Sequence, residues 1–257
     1  MRHKRLVITG SAIFAALAIV AGVGLWMLND AKKSEEVTAE TVLAAFQEED
    51  NGTRDVAGAP APGIYTYDAV GSEAGGAASV KVSRDIPPQA KMIVWQQPGG
   101  YQARLLYSKE HIEEARYTIS DEGRSMNWIR TKLSLLGSTS DDKFDVSPEA
   151  LWIPADPQEG DAWESSYVTG DYTTNYASIV TGTESVNVGG TPVDTIVIER
   201  TVVYEGSLTG GWTDTFWWSP ELNLPVKIGV VGESKQGLGV FSQDTELSLS
   251  STEPQVQ

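Results

Sequence analysis

The sequence has 257 residues, enough for one large domain or two small ones, and its formal net charge at pH 7 is −16. A chain this acidic repels phosphate backbones, which argues against nucleic acid as a partner. The absence of cysteine excludes disulfides, thiolate metal sites, a cysteine nucleophile and a lipid-modified cysteine. Because His3 and His111 are the only histidines, a histidine-based zinc site is not expected, and we predict neither a metal nor a cofactor.

The first apolar segment, residues 6–28, contains no charged side chain. As a helix it would be about 34 Å long, and a bilayer core needs about 20 such residues. The basic residues Arg2, Lys4 and Arg5 precede it, which favours a cytoplasmic N-terminus. We therefore predict a cytoplasmic tail at 1–5, a transmembrane signal-anchor helix at 6–28, and a single-pass protein of the cell membrane whose C-terminal domain is extracytoplasmic. The alternative, a cleaved signal peptide, also places that domain outside.

Residues 29–62 are predicted to form a stalk and linker. Within them, residues 37–50 (VTAETVLAAFQEED) combine helix-forming residues with a narrow apolar face, which predicts a short stalk helix. Residues 51–63 (NGTRDVAGAPAPG) are rich in Gly, Ala and Pro, which is typical of a linker.

The region 63–249 is predicted to be an extracytoplasmic β domain. Apolar and polar residues alternate in segments such as 101–107 and 115–120, with Gly- and Pro-containing turns between them. This spacing of alternating segments and turns predicts about ten to twelve antiparallel strands in a curved sheet, which forms a half-barrel, a barrel or a sandwich. The run 193–205 is apolar on both parities and predicts a central strand or a strand that changes sheets. Residues 250–257 are predicted to be a disordered tail.

Three short motifs carry a family resemblance. The opening PGIYTY at 62–67, followed by Gly71 and Glu73, resembles the opening of a group of membrane-anchored, extracytoplasmic actinobacterial proteins. The motifs at 157–163 (P-x-x-G-x-x-W) and 216–227 (FWWSPELNLPVK) are similar to those of a wider set of β-rich envelope proteins, of the lipoprotein-carrier type. The resemblance covers roughly residues 60–231. It implies an incomplete barrel around an apolar hollow and supplies no catalytic residues.

Catalytic chemistry has few candidates in this chain. His111 lies in a polar run (KEHIEEAR) that suggests a surface position, and no Ser lies in a G-x-S-x-G motif. Four carboxylates occur close to Trp152 and Trp163, which suits sugar binding or glycoside hydrolysis if two of them converge on a pocket. These four are Asp156, Glu159, Asp161 and Glu164.

The leading hypothesis is a non-enzymatic envelope protein whose β domain binds an apolar ligand such as a lipid, a cell-wall component or an envelope partner protein. The alternative is a carboxylate-dependent hydrolase acting on envelope glycans. If the curved sheet has a concave aromatic face, the ligand-binding candidates are its large rings; the simpler interpretation is that these rings form the core. The candidates are Trp95, Tyr101, Tyr107, Tyr117, Trp128, Phe216 and Trp217.

Overall fold

The computed structural model describes residues 34–77, 80–135 and 138–256. The predicted cytoplasmic tail at 1–5 and the predicted transmembrane helix at 6–28 lie outside these ranges. Within the described ranges, no helix has both the length and the apolar character needed to cross a membrane.

The described part of the chain contains one helix followed by thirteen strands, and all the paired strands are antiparallel. The helix is α1 (Ala39–Glu49). The strands are β1 (Gly63–Ala77), β2 (Val80–Asp85), β3 (Gln89–Gln97), β4 (Gly100–Leu106), β5 (His111–Ser120), β6 (Gly123–Leu135), β7 (Ser138–Pro154), β8 (Ala162–Thr169), β9 (Tyr172–Val188), β10 (Thr191–Gly206), β11 (Leu208–Ser219), β12 (Leu224–Gln236) and β13 (Gly239–Leu249).

The sheet closes on itself because its last strand pairs with its first. β13 runs antiparallel to β1 from the pair Tyr67–Leu249 to the pair Ala77–Gly239. Strands β1 and β3–β13 therefore form a twelve-stranded barrel, while β2 pairs with the second half of β1 on the same side as β3. The predicted mainly-β fold is confirmed in its closed-barrel form. The incomplete barrel implied by the family resemblance is wrong, since closure leaves the ring without a free edge.

The run 193–205 lies in β10, between β9 and β11. It is not buried on both faces, because Ile198 is fully buried whereas Val203 is 42% exposed. The run is thus a central strand, as predicted, but alternate residues of a barrel strand face the interior and the surroundings, so its two apolar parities do not mean burial on both faces.

One end of the barrel, which we call the closed end, is covered by the segment 56–61. The side chain of Gln96 donates from Nε2 to the carbonyl of Pro60 at 2.8 Å, and Arg124 Nη2 donates to the carbonyl of Gly58 at 2.7 Å. The turns β3–β4, β5–β6, β7–β8, β9–β10 and β11–β12 lie at this end. The Gly, Ala and Pro content of residues 51–63 predicts a linker, but the segment 56–61 within it packs across the closed end of the barrel.

The turn between β11 and β12 also belongs to the closed end. As its Ser-Pro-Glu-Leu-Asn sequence predicts, Asn223 adopts a left-handed backbone with a φ of 56°, and its N–H donates to the carbonyl of Ser219 at 2.9 Å. The guanidinium of Arg124 lies 4.8 Å from the ring centroid of Trp218 and donates to the side chain of Asn223. This turn helps to close the barrel.

The predicted stalk helix exists as α1, but it packs on the outer wall of the barrel. Its N-cap is Thr38, whose hydroxyl accepts from the N–H of Thr41 at 3.3 Å. Phe46 is buried against Trp95 of β3, and Trp95 Nε1 donates to the carbonyl of Phe46 at 2.9 Å. The apolar face of α1 is therefore covered by β1 and β3, and the helix is part of the domain.

The residues after β13 run back along the start of β1. The N–H of Ser250 donates to the carbonyl of Thr66, and Gln255 and Ile64 exchange two backbone hydrogen bonds of 2.9 Å each. The sequence predicts disorder from residue 250, whereas residues 250–256 contribute backbone pairing at the closed end.

Replacing Phe46 with alanine should destabilise the whole domain, because the ring fills a buried site between α1 and the barrel. We expect the free energy of unfolding in urea to fall by about 3–5 kcal/mol. Gln47→Ala, on the exposed face of the same helix, is the matched control and should change it by less than about 0.5 kcal/mol. Equal effects of the two variants would contradict the docking of α1.

Candidate ligand-binding cavity

The barrel encloses a cavity of about 350 Å³. Its wall is made by the inward-facing residues of the strands, because side chains alternate between the two faces of a sheet. Aliphatic and aromatic side chains dominate this wall. Trp152 packs edge to face with Tyr176 and with Phe216, and Tyr117 lies next to Trp152.

The cavity is packed shut at the closed end and open at the opposite one, which we call the open end. At the closed end, the lining residues Tyr101, Trp218 and Leu224 are buried. At the open end, where the turns β4–β5, β8–β9, β10–β11 and β12–β13 lie, lining residues keep accessible surface. The side chain of Glu113 is 48% exposed there, and Trp212 is half-buried. We therefore place ligand entry at the open end.

Four of the seven aromatic residues predicted to bind a ligand line this cavity: Tyr101, Tyr107, Tyr117 and Phe216. Tyr101 and Tyr117 stack on neighbouring strands with their ring centroids 4.8 Å apart. Tyr107 stacks on His111 at 4.6 Å. The structure thus brings these four residues into one wall.

The other three predicted residues, Trp95, Trp128 and Trp217, do not line the cavity. Trp95 lies beneath α1. The guanidinium of Arg116 lies 4.4 Å from the ring centroid of Trp128. Trp217 Nε1 donates to Glu184 at 2.6 Å on the outer face. The parity of a strand explains this division, since Phe216 and Trp217 are adjacent in sequence and cannot share a face.

Several lining residues were not predicted from the sequence. Trp152, Tyr172, Tyr176, Tyr204, Trp212 and Trp218 all line the cavity. The signal was present on two strands: positions 172, 174 and 176 share one parity, as do positions 212, 214, 216 and 218. The order of the barrel strands, which decides whether such sets face the same interior, is a property of the tertiary structure.

His111 is buried inside the open end, with 1% of its surface exposed, so its predicted surface position is wrong. Its Nδ1 lies 2.8 Å from Glu73 on β1, and its Nε2 lies 3.4 Å from Glu113. Arg84 on β2 donates from Nε to Glu73 at 2.6 Å and from Nη1 to the carbonyl of Ser134 at 2.8 Å. The polar sequence around His111 belongs to a strand whose alternate residues, among them His111 and Tyr117, face the barrel interior.

The charge state of this cluster follows from its neighbours. Burial alone lowers the pKa of His111, but the charge of Glu73 and hydrogen bonds to Glu113 and Glu73 raise it to about 9. Burial alone raises the pKa of Glu73, yet the opposing charges of His111 and Arg84 leave it below its ordinary value. At neutral pH the cluster therefore contains two cations and the buried carboxylate between them.

Arg200, on β10, is a cation inside the barrel that makes no ion pair among the described residues. It is 1% exposed, and its Cζ lies 3.5 Å from the ring centroid of Trp152. Nε donates to Ser178 at 3.0 Å and Nη2 to the carbonyl of Trp152 at 2.7 Å, while Nη1 has no partner in the described ranges. Burial lowers the pKa of Arg200. Stacking on aromatic faces is the main compensation for this buried charge.

Asp214, on β11, is the residue directly opposite Arg200 in the strand pairing, yet the two side chains form no ion pair. Asp214 lines the cavity and is half-buried. Within the described part of the chain it has no hydrogen-bond partner and no cation within 4 Å. Burial raises its pKa to about 7, against the opposing effect of Arg200 and with a further rise from Glu113. The cavity wall therefore contains a carboxylate that is partly protonated at neutral pH.

The carboxylate-rich loop between β7 and β8 does not form a pocket with the cavity. Asp156, Glu159, Asp161 and Glu164 are all exposed, and none of them lines the cavity. Asp161 instead accepts a hydrogen bond from the N–H of Gln158 at 2.8 Å within its own loop. The convergence of two carboxylates that a glycoside hydrolase needs is not found in this loop.

Comparison with known proteins does not assign a family. No family model and no curated protein matches the chain. The hypothetical lipoprotein YmcC from Escherichia coli K12 is 12% identical, with 87% of this chain and 100% of that chain covered and a TM-score of 0.34. A putative lipoprotein from Parabacteroides distasonis is 11% identical, with 75% and 96% covered and a TM-score of 0.30. At these TM-scores neither likeness bears on function, and neither supports the actinobacterial resemblance.

The stability of the domain should fall as the pH rises through the range in which His111 titrates. Its folded-state pKa of about 9 lies above the ordinary value of 6.5, so its contribution is complete below pH 6.5 and lost as pH rises through 9. The free energy of unfolding in urea should fall over this window by at most about 3 kcal/mol.

His111→Gln keeps a polar side chain at this position but cannot titrate, so its stability should be nearly constant over the same window. Asp214, whose pKa shift acts between its ordinary value of 3.8 and about 7, titrates in both proteins at the lower end of this window, so the difference between wild type and His111→Gln reports His111. A wild-type stability that is flat between these pH values would show that His111 is not charged in the folded barrel.

Proposed function

We propose that this protein is a non-enzymatic binding protein of the cell envelope, whose barrel takes up an apolar ligand in its aromatic cavity. One observation supports this: the barrel interior holds a cavity of about 350 Å³ that is closed at one end, open at the other and lined mainly by aliphatic and aromatic side chains. Small-molecule sites are typically about 300–1,000 Å³, mostly apolar, with a few polar groups that orient the ligand. The cavity matches the lower part of that range.

The polar groups of the wall indicate how a ligand would be oriented. Asp214 lines the cavity, and Arg200 lies opposite it on β10, buried against the rings of Trp152 and Phe216. His111 and Glu113 lie nearer the open end. An apolar body would occupy the space between the rings, with any polar group of the ligand near Asp214 or Glu113.

The proposed location follows from the sequence. The uncharged segment 6–28 behind Arg2, Lys4 and Arg5 would anchor the protein in the cell membrane, with the barrel on the extracytoplasmic side. A lipid or another apolar molecule of the envelope is the ligand that this location makes available.

Binding of a neutral apolar fluorophore should be saturable and should depend on the space inside the barrel. 1-Aminoanthracene is a suitable probe, because energy transfer from Trp152, Trp212 and Trp218 in the wall would report its entry. Val230→Trp fills part of the cavity, and should weaken binding by at least about tenfold, or about 1.4 kcal/mol. Its neighbour Val231 points outward and is 53% exposed, so Val231→Trp is the matched control and should bind as the wild type does.

Absence of saturable binding to the wild type, or equal weakening in both variants, would contradict the proposed function. Thermal melts of each variant separate a filled cavity from an unfolded barrel, since only a folded variant gives a cooperative transition.

The affinity for a neutral apolar probe should fall as the pH rises through about 7. Ionised Asp214 must lose hydration when a neutral ligand fills the cavity, whereas its protonated form loses less. The charged and titratable groups around it are Arg200 on β10, Glu113 on β5, and the rings of Tyr107 and Tyr204. Titration of wild type and Asp214→Asn between about pH 5.5 and about pH 8.5 checks this, because Asn cannot ionise. The same pH dependence in both proteins would show that Asp214 does not face the ligand.

A further inference from the structure

We infer that the open end of the barrel faces the membrane that anchors the protein, so that the cavity exchanges its apolar ligand directly with the bilayer. This inference rests on the proposed function and the proposed anchor, and adds to them the orientation of the barrel. It depends on where the chain enters the described domain.

The first described residues are fixed at the open end. The N–H of Glu35 donates to Glu110 at 2.9 Å, and the N–H of Lys109 donates to the carbonyl of Glu35 at 2.9 Å. The ammonium of Lys109 also lies 2.8 Å from the carboxylate of Glu35. Lys109 and Glu110 form the turn between β4 and β5, and this turn lies at the open end. The chain therefore reaches the barrel beside the mouth of the cavity.

From this point the chain runs away from the open end. Val37 packs in the same apolar cluster as Leu106, the last residue of β4. Further along α1, Phe46 contacts Trp95, and the segment 56–61 then crosses the closed end before β1 begins. Helix α1 thus extends along the outer wall from the open end to the closed end. The closed end is the far side of the domain as seen from residue 34.

The distance between the proposed anchor and the barrel is short. The uncharged segment ends at residue 28, and residue 34 is the first described one. Six residue steps span at most about 20 Å even when fully extended. A barrel attached at its rim by so short a connection keeps that rim close to the bilayer surface, whereas its closed end lies a full strand length further away.

The rim itself offers a group suited to the bilayer interface. Leu238, in the turn between β12 and β13, is 80% exposed, the largest exposed fraction among the large apolar side chains of the described residues. An apolar tip on a hairpin at the open end gains free energy on entering the interfacial region of a bilayer. Its position agrees with the orientation given by Glu35. A ligand can then pass between bilayer and cavity without crossing bulk water, where its apolar surface is hydrated unfavourably.

The absence of cysteine permits a direct test with single-cysteine variants of the full-length chain. Leu238→Cys and Glu205→Cys place a fluorescent label at the open end, and Glu159→Cys places it on the exposed β7–β8 loop at the closed end. Each labelled protein is reconstituted into phosphatidylcholine vesicles with and without a lipid that has a nitroxide on its headgroup. We expect nitroxide lipid to quench both open-end labels at least about twofold more than the closed-end label, because nitroxide quenching requires close approach.

Glu205→Cys keeps the test independent of Leu238, whose replacement removes the apolar tip. Equal quenching at both ends, or stronger quenching at Glu159→Cys, overturns the orientation. Flotation of the vesicles tests the membrane anchor, and 1-aminoanthracene titration of the same samples tests binding in the cavity. Protein that floats and binds the probe but shows no difference in quenching defeats this inference alone. Protein that does not float, or does not bind the probe, defeats the anchor or the cavity and the orientation with it.

Discussion

The pairing of β13 with β1 is the constraint on which the rest of the structure depends. Eleven residue pairs join the last strand to the first and turn a long antiparallel meander into a ring. Closure removes both free edges and creates an inside, so every strand has one face toward a shared interior. Without this pairing the rings of distant strands, such as Tyr101 on β4 and Phe216 on β11, would not share a wall. The cavity is a consequence of closure.

The interior departs from an ordinary apolar core in a way that is compatible with ligand binding. Arg200 and Asp214 are opposite each other in the strand pairing, yet Arg200 stacks on Trp152 and Asp214 faces the cavity. Removing two charges from water without joining them costs free energy that a purely structural core would avoid. By contrast, Glu73 joins His111 and Arg84 in a compact cluster whose charges compensate one another. The uncompensated charges of Arg200 and Asp214 suit a ligand-binding site. The compensated cluster around Glu73 suits a structural role.

The amino-acid composition of the segments before and after the barrel does not predict that they pack against it. Residues 51–63 have the Gly, Ala and Pro content of a free linker, and residues 250–257 have the polar character of a disordered tail. Residues 56–61 and 250–256 nevertheless pack at the closed end, because a closed barrel presents unpaired backbone groups and apolar surface there. Pro60 and Gln255 each supply a hydrogen bond that the barrel end needs. Local composition indicates only how flexible a segment would be in isolation, and not whether the rest of the fold provides a surface for it to pack against.

The sequence by itself determined the strand class, the helix at α1 and the turn at Ser219–Asn223, because alternation, capping and turn chemistry are local. It did not determine closure, the direction of Trp95, Trp128 and Trp217, or the burial of His111. Those depend on strand order, bulges and parity, which are fixed only when all the strands pair. A period of two shows that a strand has two faces, and only the closed ring decides which of them is the inside.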